Sequence, residues 1–261
     1  MPLVRSEGIV LKTHALGDTS RIVVVYTREQ GMVRLVAKGA RRTPSRFGFA
    51  LEPLSRGRYV YYHKPDRELQ LLSQADTLDA TGSRLTDLTR LAHGEAALEL
   101  VDRLVWGEEP HPELYDLLTE ALEAVASAPL AALPAVTISF ELQLASLLGY
   151  RPRLDACARC GGALSAARLF SPAEGGLLCD SCASRAVEGG IVTLSADALA
   201  GLALLLTRPV REAGDFLEVK RTGEILRVIE AFLRHHFQRF QGLRSLEMLR
   251  ALQSPGSSEA A

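Results

Sequence analysis

The sequence predicts an α+β multidomain chain: a small N-terminal β-barrel, a bundle of helices and a four-cysteine insert. Three observations carry that expectation. Five short runs rich in Val, Ile, Leu and Tyr crowd into the first 80 residues, apolar residues recur at helical spacing after Gly82, and all four cysteines stand in two C-x-x-C pairs. The 261 residues, 47% hydrophobic and 23% charged, exclude a disordered, collagen-like or low-complexity chain and suffice for a core without disulfide staples. No apolar run is expected to reach the roughly 18 residues of a membrane span, and residues 1–12 lack the long apolar stretch of a secretory signal. The expectation is a cytoplasmic protein with no membrane segment.

The barrel comes first. Gly8–Thr13, Arg21–Thr27, Met32–Lys38, Arg58–His63 and Glu68–Ala75 read as strands punctuated by Gly, Asp, Pro and Ser. Arg28-Glu29-Gln30-Gly31 suits a hairpin loop. In the third run Arg34, Val36 and Lys38 alternate with Val33, Leu35 and Ala37, as a half-buried strand requires. Five such strands in 80 residues fit an oligonucleotide-binding (OB) barrel, with an SH3-like barrel as the alternative.

After Gly82 the period changes. Leu91, Leu98, Val101 and Val105 share a helical face, as do Leu114, Leu117, Leu118, Ala121, Leu122 and Val125, then Val136, Phe140, Leu144, Leu147 and Leu148. Pro110, Pro112, Pro129 and Pro134 mark helix boundaries. Helical spacing returns at Ser195–Leu206, in the stripe Leu226, Ile229, Phe232, Leu233, Phe237 and Phe240, and at Leu243–Leu252. The expected division is a barrel over 1–80, helices over 83–150, the cysteine insert over 151–190, returning helices over 191–252 and a small, polar, disordered tail over 253–261.

The cysteines form Cys157-Ala-Arg-Cys160 and Cys179-Asp-Ser-Cys182, with eighteen residues between the pairs. That spacing lies in the zinc-ribbon window, and Gly161 and Gly162 allow a tight turn beside the first pair. The expected ligands of one Zn²⁺ are Cys157, Cys160, Cys179 and Cys182. Four thiolates leave no open coordination position, so the expected role is structural. A disulfide pair is disfavoured in a cytosolic chain, and neither pair sits in the strand-to-helix context of redox C-x-x-C chemistry.

Charge separates the modules. Residues 1–80 carry 13 Lys/Arg against 8 Asp/Glu, residues 81–150 carry 3 against 11, and residues 151–261 carry 14 against 12. Lys38, Arg41, Arg42 and Arg46 place four cations in nine residues, on a loop that follows a strand and holds Gly39, Pro44 and Gly48. Such a loop can follow phosphates. These four, with Arg21 and Arg34 on neighbouring strands, are the expected nucleic-acid phosphate contacts. Of the nearby aromatics, Tyr59 and Tyr61 are expected in the barrel core, while Phe47 and Phe49 could serve either core or base stacking. The −8 block reads as a solvated helical surface.

No catalytic motif emerges. There is no phosphate-binding G-x-x-x-x-G-K-[ST] loop and no nucleophile elbow. His235 and His236 occupy adjacent helical positions about 100° apart, poorly placed to share an ion. Function is expected from binding.

Several stretches together resemble a known family. Val36-Ala-Lys-Gly-Ala-Arg-Arg42, followed by Pro44, Arg46 and Phe47, resembles the barrel of the RecO family of bacterial DNA repair proteins. So do Glu7–Lys12 with Gly17–Arg21, Phe140–Pro152 just before Cys157, the four-cysteine insert, and the late helix Arg244–Leu249. The likeness spans about residues 5–252. It implies an OB barrel, a helical bundle and a zinc insert in a cytoplasmic, nucleoid-associated recombination mediator that is not an enzyme. It further implies binding of single- and double-stranded DNA, annealing of complementary strands, contact with the C-terminal tail of single-strand-binding protein (SSB), and loading of RecA with a RecR partner. The alternative is a zinc-ribbon and OB module that binds RNA or polymerase.

Overall fold

Apolar strand residues within the first 79 positions close around a buried interior as a barrel. In the computed structural model, which describes residues 2–44, 47–79, 81–107, 109–186, 190–216 and 219–253, strands β1 (Leu3–Leu16), β2 (Ser20–Thr27), β3 (Gly31–Ala37), β4 (Arg56–Tyr62) and β5 (Leu69–Asp79) pair in the closed order β1-β2-β3-β5-β4. Only the β3–β5 pairing is parallel. This is the OB-type barrel expected from the sequence. Arg46 and residues 254–261 lie outside the described residues.

Strand β1 is longer than the sequence suggests because it serves two partners. Leu3–Ile9 pair with β4 and Gly8–Leu16 with β2, and a bulge between Val10 and Lys12 turns the strand from one to the other. Gly8 stands opposite Gly57 in this register. A Cβ on Gly57 would lie 2.9 Å from the Asp76 carbonyl oxygen, and one on Gly8 would overlap the Val25 side chain. Only residues without side chains let the backbones approach so closely here. Val10, Val23, Val25, Val33, Leu35, Tyr59 and Tyr61 fill the interior, as expected for the two tyrosines. The Tyr59 hydroxyl donates to the Ala50 carbonyl at 2.8 Å, which satisfies it within the core.

The chain divides into two compact units, Met1–Leu122 and Glu123–Ala261. The first contains the barrel, α1 (Thr81–Arg84), α2 (Leu88–Leu104) and most of α3 (Pro112–Ser127). Asp87 caps α2 by accepting the Arg90 backbone N–H at 2.9 Å. Lys12 of β1 pairs with Asp102 of α2 at 2.7 Å, and Arg28 pairs with Asp116 of α3 while lying over the Tyr115 ring. Leu98, Val101 and Val105 are buried as expected, while Leu91, at the N-terminal end of the same stripe, is exposed; Ala92, Ala96 and Leu100 widen the buried face.

The second unit is organised on α4 (Leu133–Leu147), with α6 (Ala196–Thr207), α7 (Ala213–Phe216) and α8 (Val219–His236) packed against it. Ser139 donates to the Leu205 carbonyl at 2.9 Å, and the Gln143 amide donates to the Arg208 carbonyl at 2.8 Å, tying α4 to the end of α6. Contrary to the expectation drawn from the sequence, Leu130–Leu147 is long and apolar enough to cross a membrane. Helix α4 is apolar nearly all round because it lies inside the unit, where 61% of that stretch is buried. Leu147, expected on the core stripe, is exposed at the helix end. The insert between α4 and α6 holds β6 (Leu169–Ser171), β7 (Gly176–Leu178), the short α5 (Asp180–Ala183) and β8 (Val192–Thr193), in a three-stranded sheet of order β7-β6-β8. Helix α9 (Arg244–Gln253) ends the described chain.

Candidate nucleic-acid interface and metal centre

Two concave surfaces meet at the end of β3. One, of ≈ 640 Å³, is lined by Leu16, Thr19 and Ser20 of the β1–β2 turn, by Val36 and Lys38, and by Gly39, Arg42 and Pro44 of the loop that follows. The other, of ≈ 510 Å³, shares Val36 and Lys38 and continues to Arg67, Glu68, Leu69 and Leu71 at the β4–β5 connection. Lys38 thus stands on the ridge between them. The β1–β2 and β4–β5 loops flank the face that OB barrels present to oligonucleotides.

The structure sorts the sequence-predicted cations into two groups. Lys38 and Arg42 are exposed in the groove, and neither forms an ion pair among the described residues. Arg41 has a local structural partner: its guanidinium donates to the Gly17 carbonyl at 2.8 Å, and its backbone N–H donates to Thr19 at 3.0 Å. Arg21 pairs with Glu52 at 2.7 Å, and Arg34 with Glu68 at 3.3 Å. Arg67 was missed by the sequence reading. It lies 29 residues after Lys38 in sequence and comes beside it only through the parallel β3–β5 pairing of Arg34 with Leu69. Its one sequence signal was its place in the Pro65–Arg67 turn before a strand.

The four cysteine sulfurs form the second site and lie within 4.8 Å of one another. Each pair makes a tight knuckle. The Gly161 N–H donates to the Cys157 carbonyl at 2.8 Å, with Gly161 at φ +72°, and the Cys182 N–H donates to the Cys179 carbonyl at 3.1 Å. The sulfurs of Cys160 and Cys179 are 3.8 Å apart. Four ligands at about 2.3 Å in a tetrahedron stand about 3.8 Å apart, so the spacing fits a thiophilic ion. The protonation pattern agrees. Burial pushes the Cys157 thiol up, but the N–H groups of Cys160, Cys179 and Arg159 outweigh it and bring Cys157 down to about 6. The Ser181 hydroxyl, with the Cys182 N–H, lowers Cys179. Cys182 is pushed up to about 12, first by the Cys179 sulfur and then by burial and the other thiols. A further thiolate among crowded sulfurs needs a cation beside it, and the four could hold one metal ion. Arg159, bonded to Glu174 at 2.6 Å, braces the first knuckle against the β6–β7 turn.

A five-stranded oligonucleotide-type barrel with a cation-lined groove, followed by a helical unit carrying a four-thiol cluster, is the architecture of a nucleic-acid-binding protein with a metal-type insert. The family described as Recombination protein O N terminal matches residues 1–81, and that described as Recombination protein O C terminal matches residues 85–247. The chain is 37% identical over 254 residues to the DNA repair protein RecO of a Nocardioides species, covering 94% of this chain and 98% of the relative. It is 37% identical over 253 residues to that of Streptomyces griseus, with the same two coverages, and 34% identical over 254 residues to that of a Synechococcus species, covering 94% and 88%. The chain belongs to the RecO family, and that membership supports a role in DNA repair and recombination.

Proposed function

We propose that this protein is a recombination mediator working by binding rather than catalysis. It binds single- and double-stranded DNA through the barrel groove, anneals complementary strands, contacts the SSB C-terminal tail, and with RecR helps load RecA onto SSB-coated strands in the cytoplasm. The observation that carries the DNA part is the position of Lys38 between two concavities, with Arg42 on one side and Arg67 on the other. Cations so placed neutralise phosphates and release counterions, and lowering the charge of two strands reduces the repulsion that opposes pairing. Arg41, Arg21 and Arg34 act mainly in shaping this surface, each through the partner described above, and Arg46, the next cation of the basic stretch in sequence, is a further phosphate contact.

The four cysteines hold one structural Zn²⁺. When bound, the ion supplies the positive charge that lets all four sulfurs stay deprotonated together. The chain's own contribution is the pair of knuckles that fixes both ends of the β6–β7 hairpin.

The test is a salt titration. Each phosphate contact to a single strand contributes about 0.7 to the slope of log K against log salt. Replacing Lys38, Arg42 and Arg67 together by Ala should reduce that slope by about 2 and weaken binding at low salt. An unchanged slope in a folded triple variant removes the groove from the DNA interface. Tighter binding of single-stranded RNA than of single-stranded DNA would favour the RNA-binding alternative.

A further inference from the structure

Residues 47–51 form a short turn on which neighbouring side chains are treated in opposite ways. Phe47 is 4% exposed and joins the barrel core together with Ala50 and Leu51, whereas Phe49 is 78% exposed. The backbone under Phe49 is fixed. Its carbonyl accepts the Ser55 hydroxyl at 3.0 Å and the Glu52 N–H at 3.1 Å, and the next carbonyl, of Ala50, accepts the buried Tyr59 hydroxyl. A large apolar ring is therefore presented to solvent on a rigid base. An aromatic left outside in this way forgoes the stabilisation that burial would give it.

Its position along the chain is informative. Phe49 lies five residues after Pro44, which lines the groove, and three before Glu52, which pairs with Arg21 beside the groove residue Ser20. That pairing also neutralises the carboxylate nearest to it in sequence. In sequence the ring follows Arg42 by seven residues.

We propose that Phe49 is a stacking platform for an unpaired nucleobase of a strand whose phosphates lie along the Lys38–Arg42 groove. This rests on the groove being the DNA surface and adds a specificity to it. Phosphate contacts alone do not separate single strands from duplex, whereas a ring that needs an open base face favours the unpaired strand. The arrangement suits a protein that must hold a strand with its bases accessible until a complement arrives.

The experiment uses the full chain and compares Phe49→Ala and Phe49→Trp with the unsubstituted protein. Three probes are titrated: a short oligo(dT), an abasic strand of equal length, and a duplex of equal length. Base–aromatic stacking contributes about 1–3 kcal/mol, so Phe49→Ala should weaken oligo(dT) binding roughly 5- to 150-fold. Binding of the abasic strand and the duplex should change less than about twofold, the salt slope should hold, and Phe49→Trp should restore oligo(dT) affinity. Unchanged oligo(dT) affinity in Phe49→Ala, or an equal loss on the abasic strand, overturns the stacking role. If Phe49→Ala is silent while the Lys38/Arg42/Arg67 variant loses binding, stacking fails and the groove stands. If the unsubstituted protein binds none of the three probes at low salt, both fail.

Discussion

Replacing Glu141 by Gln removes one ionisable proton from the interior of the second unit with little change in volume. Glu141 lies on α4, is 2% exposed, and has a buried carboxyl oxygen without a hydrogen-bond partner. It faces Leu226 and Glu230 of α8, and Leu246, Glu247 and Arg250 of α9, around a cavity of ≈ 20 Å³. Burial, reinforced by Glu230 and opposed by Arg250, pushes its carboxyl up to about 8 from an ordinary value of 4.5. Between these two values the folded chain holds a proton that the unfolded chain has released. The stability associated with that proton is complete below about pH 4.5 and is lost as pH rises through about 8. The slope is about 1.4 kcal/mol per pH unit, so the full span corresponds to about 5 kcal/mol. The Gln variant has no such slope. Its stability relative to the unsubstituted chain should rise by about 2.7 kcal/mol between about pH 5.5 and pH 7.5. Hydrogen exchange of the α4 amides is the appropriate readout, because Trp106, the only tryptophan, belongs to the first unit. A difference between the two proteins that stays constant across this range would mean that Glu141 ionises normally in the folded state, and the reasoning would be wrong.

Other outcomes are expected. Purified protein should contain about one Zn²⁺ per chain, and Cys160→Ser should release it and remove exchange protection over residues 157–183; protection that survives metal loss would show that the ion is not structural. His236 bonds to the Pro172 carbonyl at 3.0 Å, and burial, with some help from His235, lowers its pKa despite that bond. Its folded pKa lies below the unfolded value near 6.5, so stability present above that pH should be lost as pH falls beneath it; His236→Phe should flatten this acid limb in a denaturation series. Asp87→Ala should cost about 1 kcal/mol through loss of the α2 cap, seen as a lower urea midpoint in Trp106 fluorescence.

The strands and the cysteine cluster were legible in the sequence because each is a local pattern. Alternation through Val33, Leu35 and Ala37 needs only a period of two, and a C-x-x-C knuckle needs only its own glycine turn. What was hidden depends on residues far apart in the chain. Nothing near Arg21, Arg34 or Arg41 announces Glu52, Glu68 or Gly17 as partners, so these three looked like Lys38 and Arg42 where the fold distinguishes them. Glu141 counted toward the acidity of a supposedly solvated block, yet α4 is enclosed and carries it inside. The same enclosure explains why α4 shows no apolar stripe: a helix covered on most sides has no face to leave polar. Leu91 misled for a simpler reason: it lies in the first turn of α2, where the rest of its stripe, Leu98, Val101 and Val105, is buried and it is not.

Arg41 fastens the β1–β2 turn to the loop after β3 twice, once through its guanidinium and once through its own N–H. The two banks of the larger hollow are therefore laced together before any strand arrives. A polymer settling there does not have to organise its own berth, and the entropy that a pair of loose loops would surrender on binding has already been spent in folding.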